Sequence, residues 1–163
     1  MTTTTDAATD DTTALPRVDL MGPWPEGYRA LLALDGAVGG AGLDPSLLNL
    51  VKQRASQVNG CPYCLDMHAK EARKAGESQQ RLDVLQAWRE APLFSEQEQA
   101  ALALTEAITL VADGHVPDAV VDEARRHFAP EQFAQLVFAV VSINAWNRVA
   151  ITSRAPLPPA ADG

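Results

Sequence analysis

The chain has 163 residues, 47% of them hydrophobic and 21% charged, which is enough for one domain with a buried core. A formal charge of -8 and a pI near 4.7 exclude a phosphate-binding face built on clustered Lys and Arg, and equally disfavour an anionic membrane surface as partner. The opening residues are rich in Thr and Asp, with no basic region leading into an apolar run, so no secretory leader and a cytoplasmic location are expected.

Residues 1–13 form a polar low-complexity run expected to be a disordered tail. One domain is expected over residues 14–154, followed by a Pro-rich tail over 155–163. The arm from Ala14 to Trp24 mixes Pro16, Gly22 and Pro23 with Leu15, Val18, Leu20 and Met21, a pattern suited to lying over the body or a neighbouring subunit. Pro25 opens a helix whose apolar residues run from Tyr28 to Val38, and Gly39-Gly40 ends it. Asp44-Pro45 is an N-cap followed by proline at the first helical position. Leu47, Leu48, Val51, Ala55 and Val58 then keep a helical period until Gly60.

A further helix is expected from Cys61 or Pro62 to about Lys74, ended by Gly76, with a short one capped by Ser78 and running through Trp88. Ser95 and Glu98 make a capping box for a helix that carries Leu102, Leu104, Ile108 and Val111 and ends at Asp113-Gly114. Pro117 to about His127 is a short helix, and Pro130 opens the last and longest. Its apolar residues, from Phe133 to Val149, leave little polar face, as expected of a helix buried centrally or between subunits. Its most apolar part, Phe133 to Asn147, is too short to span a bilayer. No stretch calls for a strand, and the fold class expected is all-α.

Both cysteines and one of the three histidines fall in Asn59-Gly-Cys-Pro-Tyr-Cys-Leu-Asp-Met-His68. Two thiols separated by two residues at a helix start close a disulfide with little strain, and the helix N-terminus favours a thiolate. A close pair of this kind in a reducing compartment points to catalysis or metal binding rather than to a structural staple. His68 lies one turn beyond Cys64 on the same face, where it can take or supply a proton. The site therefore suits attack on a peroxide oxygen or a disulfide sulfur.

Cys-Pro-Tyr-Cys is also the glutaredoxin tetrad, but that site follows a strand, and here helices flank it. Zinc held by Cys61, Cys64 and His68 lacks a fourth ligand, because His115 and His127 stand singly. Two inert buried cysteines are the remaining alternative. No metal or cofactor is expected.

These residues resemble the alkylhydroperoxidase D-like (AhpD-like) branch of the carboxymuconolactone decarboxylase family. The resemblance is carried by Leu48 to Lys52, Arg54 to His68, Ala72-Arg73, Gly76-Glu77, Trp88 to Glu90, Ala100 to Leu104 and Asn144 to Arg148. It implies an AhpD-like helical bundle assembled as a homo-oligomer, a trimer or hexamer, with thiol-dependent peroxidase or disulfide reductase activity. In the family pattern Cys64 attacks the peroxide, Cys61 resolves the sulfenic acid and His68 belongs to a proton relay. The reductant is a lipoyl-bearing protein, with a peroxiredoxin as a further partner. Two positions depart from that pattern. The relay glutamate, twelve residues before the first cysteine, is Asn49 here, and the histidine between the cysteines is Tyr63. Helix-end electrostatics alone favour Cys61 as the lower-pKa thiol, against the family assignment. A lactone decarboxylase-like lyase and a non-catalytic redox-sensing oligomer are the alternatives.

Among other residues, Asp66 and Glu71 read as a solvated helix face before substitute acids. Arg54 is either a thiolate-favouring neighbour or an ion-pair partner. Trp88 and Trp146 read as core or interface anchors. Asn144 and Asn147 read as satisfying backbone groups in a buried helix, and His115 as exposed.

Overall fold

The computed structural model describes residues 16–157. The expected disordered tail over 1–13 and the last residues of the Pro-rich tail lie outside them. Among the described residues the chain is all helix and turn: α1 Pro25–Gly39, α2 Pro45–Asn59, α3 Pro62–Lys74, α4 Gln79–Val84, α5 Glu96–Thr109, α6 Asp118–His127 and α7 Pro130–Ser153.

Local chemistry sets most of these boundaries. Asp44 Oδ1 accepts from the N–H groups of Ser46 and Leu47 at 2.8 and 3.2 Å, satisfying two donors that the helix leaves free. The reciprocal Ser95–Glu98 box opens α5. At the end of α2, Gly60 takes φ 64°. Its N–H donates to the Gln57 carbonyl and that of Cys61 to the Ser56 carbonyl, the paired return bonds of a Schellman stop.

Two expected spans are shorter than their patterns. The helix capped by Ser78 tightens into a 3₁₀ turn at Leu85–Ala87, where Leu85 and Trp88 turn into a cluster with Leu50, Phe94 and Leu102. Helix α5 ends at Thr109 rather than at Asp113-Gly114, because Leu110 and Val111 find no packing and remain 46% and 48% exposed.

Helices α2, α5 and α7 pack on one another in pairs, with α1 on α7, α3 across α2 and α7, and α6 on α5. The main core joins Leu47, Leu48 and Val51 of α2 to Leu104 of α5 and Leu136 and Val140 of α7. Helix α2 feeds both this core and the Leu85–Trp88 cluster, so it is buried on more than one side. Fully burying a leucine is worth roughly 1.5–3 kcal/mol, and α2 places several in these clusters.

At 24 residues α7 exceeds the apolar stretch read from sequence and is long and apolar enough to cross a membrane. In this fold it packs against five other helices. Its outward side keeps Phe138, Val141 and Ile151 exposed. Residues 16–24 cross its C-terminal end, where the Arg17 N–H donates to the Ser153 carbonyl at 2.8 Å.

Asn144 and Asn147 do more than satisfy their own helix. Asn59 Nδ2 donates to Asn147 Oδ1 at 2.8 Å and to Asn144 Oδ1 at 3.0 Å. Asn147 donates to Ser56 Oγ at 3.1 Å, and Asn144 to Thr109 Oγ1 at 2.9 Å. This buried network ties the ends of α2 and α5 to α7, just before the chain turns into the cysteines. Asn147→Ala strands Asn59 and Ser56 and is expected to cost about 2–3 kcal/mol in chemical denaturation; a loss under about 0.5 kcal/mol would contradict the role given to the network.

Candidate functional site

The turn at Gly60 delivers Cys61 to the N-cap of α3, with Pro62 at the first helical position. Cys61 and Cys64 are joined in a disulfide with Cα atoms 5.4 Å apart, inside the usual range for such a bridge. Cys61 Sγ also accepts from the Cys64 N–H at 3.3 Å. The helix-start donor therefore goes to the first sulfur of the bridge. Both cysteines are buried, at 0% and 2% exposure.

His68 follows Cys64 by one turn of α3 and is 4% exposed. Its Nδ1 lies 2.8 Å from Glu71 Oε2, while Nε2 has no hydrogen-bond partner among the described residues. Burial pushes the His68 pKa below its ordinary 6.5; the Glu71 contact opposes that shift and the Lys52 charge adds to it. The imidazole is therefore neutral near pH 7. Its Glu71 contact favours the tautomer with the proton on Nδ1, which leaves Nε2 as a base.

His68 lines a cavity of about 260 Å³ together with Tyr63, Met67 and Glu71 of α3. Tyr28 and Asp35 of α1, Lys52 of α2 and Trp146 of α7 supply other parts of the wall. Lys52 Nζ pairs with Asp35 Oδ1 at 3.1 Å, and Ser142 Oγ donates to the same oxygen at 3.3 Å. One end of the cavity thus holds an ammonium, an imidazole and two carboxylates. Tyr28 and Trp146 meet edge to face, with ring centroids 5.3 Å apart, and form an apolar side.

Cys61, Cys64, His68 and Tyr63 come together at the first two turns of α3. Asn49 is half-buried on α2 and lies outside the lining of the His68 cavity. Glu71, read from sequence as a solvated face, has a side chain 52% exposed and nonetheless bonds the buried imidazole. Asp66 pairs with Lys70 at 2.8 Å.

Arg54 points to Glu106 of α5 at 2.7 Å. Trp88 Nε1 and Arg89 hold the same carboxylate at 2.8 and 2.6 Å. Burial would raise the Glu106 pKa, but these three donors outweigh it and keep the group below the ordinary carboxylate value. Trp88 is a core anchor, whereas Trp146 lines the cavity.

Sequence reasoning did not single out Tyr28, Asp35 or Lys52. The available signal was a charged residue on each of two otherwise apolar helix stripes. Among the described residues no three His, Cys, Asp or Glu side chains gather in metal-binding geometry.

Comparison with known proteins shows the family and the fold. The model of the Carboxymuconolactone decarboxylase family matches residues 25–107. The uncharacterized protein YdfG of Bacillus subtilis (strain 168) is 40% identical over 127 residues, covering 78% of this chain and 86% of that protein. The structure of ATU0492 from Agrobacterium tumefaciens is 37% identical with a TM-score of 0.86, covering 90% of this chain and 100% of that one. ATU0492 is a protein of unknown function whose description proposes an antioxidant defence protein AhpD. The debrominase Bmp8 shares the fold alone, at 18% identity and a TM-score of 0.77 over 85% of this chain and 75% of that one.

Proposed function

Because the chain belongs to the carboxymuconolactone decarboxylase family and is AhpD-like within it, we propose that it is a thiol-dependent peroxidase and disulfide oxidoreductase that reduces hydroperoxides in antioxidant defence. The observation that carries this reading is the Cys61–Cys64 pair at the start of α3 with His68 one turn on.

In the reduced protein, His68 Nε2 takes the Cys64 thiol proton. The Cys64 thiolate attacks the outer oxygen of ROOH and the O–O bond breaks. Cys64 becomes a sulfenic acid, and the departing alkoxide takes the proton from His68 to leave as ROH. The Cys61 thiol then attacks the Cys64 sulfur, forming the disulfide and releasing water. A dithiol, such as a reduced lipoyl group on a protein, restores both thiols and is itself oxidised to a disulfide; a peroxiredoxin is the further partner. Tyr63 borders this chemistry in place of the family's histidine. Glu71 orients His68, and Asp35 and Lys52 line the same cavity.

A homo-oligomer, trimer or hexamer, belongs to the same proposal, as does a cytoplasmic location. Support for assembly comes from the exposed neighbours Phe138 and Val141 of α7, one turn apart, since adjacent apolar side chains at a surface favour association. Light scattering that returned a monomer would overturn this part.

The deciding experiment is intact mass after one equivalent of hydroperoxide is added to the reduced protein. A loss of two hydrogens, reversed by a dithiol, is expected. Thiols that stay reduced in excess peroxide would end the peroxidase reading. Asn49→Glu restores a carboxylate at the family's relay position and is expected to raise kcat/KM for hydroperoxide by about tenfold or more, less than the roughly 10²- to 10⁴-fold that a fully positioned general acid–base group supplies. An unchanged rate in a folded variant would mean that the relay runs without residue 49.

A further inference from the structure

Lys52 is the charged residue that α2 sends into the His68 cavity. Its side chain is 15% exposed, and Asp35 Oδ1 of α1 holds its ammonium at 3.1 Å. The fully buried Ser142 of α7 donates its Oγ to that same oxygen at 3.3 Å, so three helices fix the pair. Asn49, one turn earlier on α2, lies outside the cavity lining. The ionisable groups around His68 come from each packed element. Helix α1 brings Asp35 and Tyr28, α2 brings Lys52, α3 brings Glu71 and Tyr63, and α7 brings Trp146 with no ionisable side chain. A second cavity, walled by the arm, adjoins this one and adds Asp19, whose carboxylate accepts from the N–H groups of Met21 and Gly22. Among the described residues that line the two cavities, Lys52 is the only Lys or Arg.

We propose that Lys52 is a positioning residue for the His68 base: Asp35 anchors its ammonium in the cavity, and that fixed positive charge keeps the imidazole unprotonated and Nε2 open to take a proton. This rests on the peroxidase reading and names what controls its base. A charge held in a part-buried cavity acts through a medium less polar than water, so it is felt across several ångströms. Burial is the first cause of the low His68 pKa, and Glu71 opposes it. The Lys52 charge adds to burial by more than the Asp35 charge takes away. The signs follow from charge alone. Losing the ammonium makes protonation of His68 easier and raises its titration midpoint; losing the carboxylate that is then left unpaired lowers it again.

The test is titration of the His68 ring by NMR in the full chain, in the disulfide form, where neither cysteine titrates. His68→Gln assigns the resonance. Lys52→Met is expected to raise the midpoint by about half a pH unit or more. Adding Asp35→Asn to Lys52→Met should take back part of that rise. Lys52→Arg keeps the charge and should stay near the parent value. Lys52→Gln, which keeps a donor for Asp35, takes the place of Lys52→Met where the methionine variant does not fold.

The acidic limb of kcat/KM for hydroperoxide should follow the same order, a half-unit shift giving about a threefold change at a pH on that limb. The titration itself needs no turnover, which separates the proposal from the peroxidase reading. Shifts of the expected signs in a protein that reduces no hydroperoxide uphold the role of Lys52 and end the peroxidase reading alone. A midpoint unmoved by loss of the ammonium, raised as far by Lys52→Arg as by Lys52→Met, or not lowered by the second substitution, overturns the proposal even where hydroperoxide turns over.

Discussion

Cys64→Ser is expected to abolish hydroperoxide turnover, with a loss of about 10³-fold or more. A hydroxyl at this position cannot be activated as a thiolate is, and no other cysteine has His68 on its own helix face. Cys61→Ser should behave differently. Attack by Cys64 still proceeds once, but no resolving thiol remains, so a single burst leaves a protein one oxygen heavier. Quenched-flow mass spectrometry of the two variants reads this difference directly. Turnover that survives in Cys64→Ser and dies in Cys61→Ser would reverse the two roles.

His68→Gln is expected to lower kcat/KM by about 10²-fold or more, the loss that follows removal of a general acid–base group. The pH dependence carries the sign. Burial holds the His68 pKa below 6.5, so the parent protein keeps a neutral base at pH 7 and is expected to lose peroxidase activity as pH falls through that depressed value. The variant should show no such acidic limb.

Stability follows the same linkage. Below about pH 6.5 the unfolded chain takes up the histidine proton before the folded one does. The contribution is therefore fully present above the unfolded pKa and is lost as pH falls toward the folded pKa, by up to about 1.4 kcal/mol per pH unit. Denaturant unfolding between pH 5 and 7 should show His68→Gln losing less stability on acidification than the parent. An identical slope in both proteins would place the titrating group elsewhere.

Much of the site was legible because capping is local. Asp44, Gly60, Pro62 and Ser95 each act within a few residues of themselves, so the start of α2, its stop before the cysteines and the opening of α3 follow from sequence. The failures have physical causes too. Leu110 and Val111 extend the pattern of α5, but packing, not pattern, decides where a helix stops. Glu71 looks like a surface acid on its helix because half of it is one. Its bond to a buried ring depends on His68 facing inward. Asn144 does bond its own helix, at the Val140 carbonyl, but a helix read alone hides the further partners of Asn144 and Asn147 on α2 and α5.

The amino-acid sequence by itself determined an all-helical chain with two cysteines opening one helix and a histidine one turn later. Those features depend on spacing and on turn chemistry between near neighbours. Only the tertiary structure decided that Asp35, Lys52 and Trp146 share a cavity with that histidine, and that the arm walls a second one beside it. Such meetings join segments far apart in the chain, and they are selected by the burial of α2 and α7 against the rest of the core, which no local pattern records.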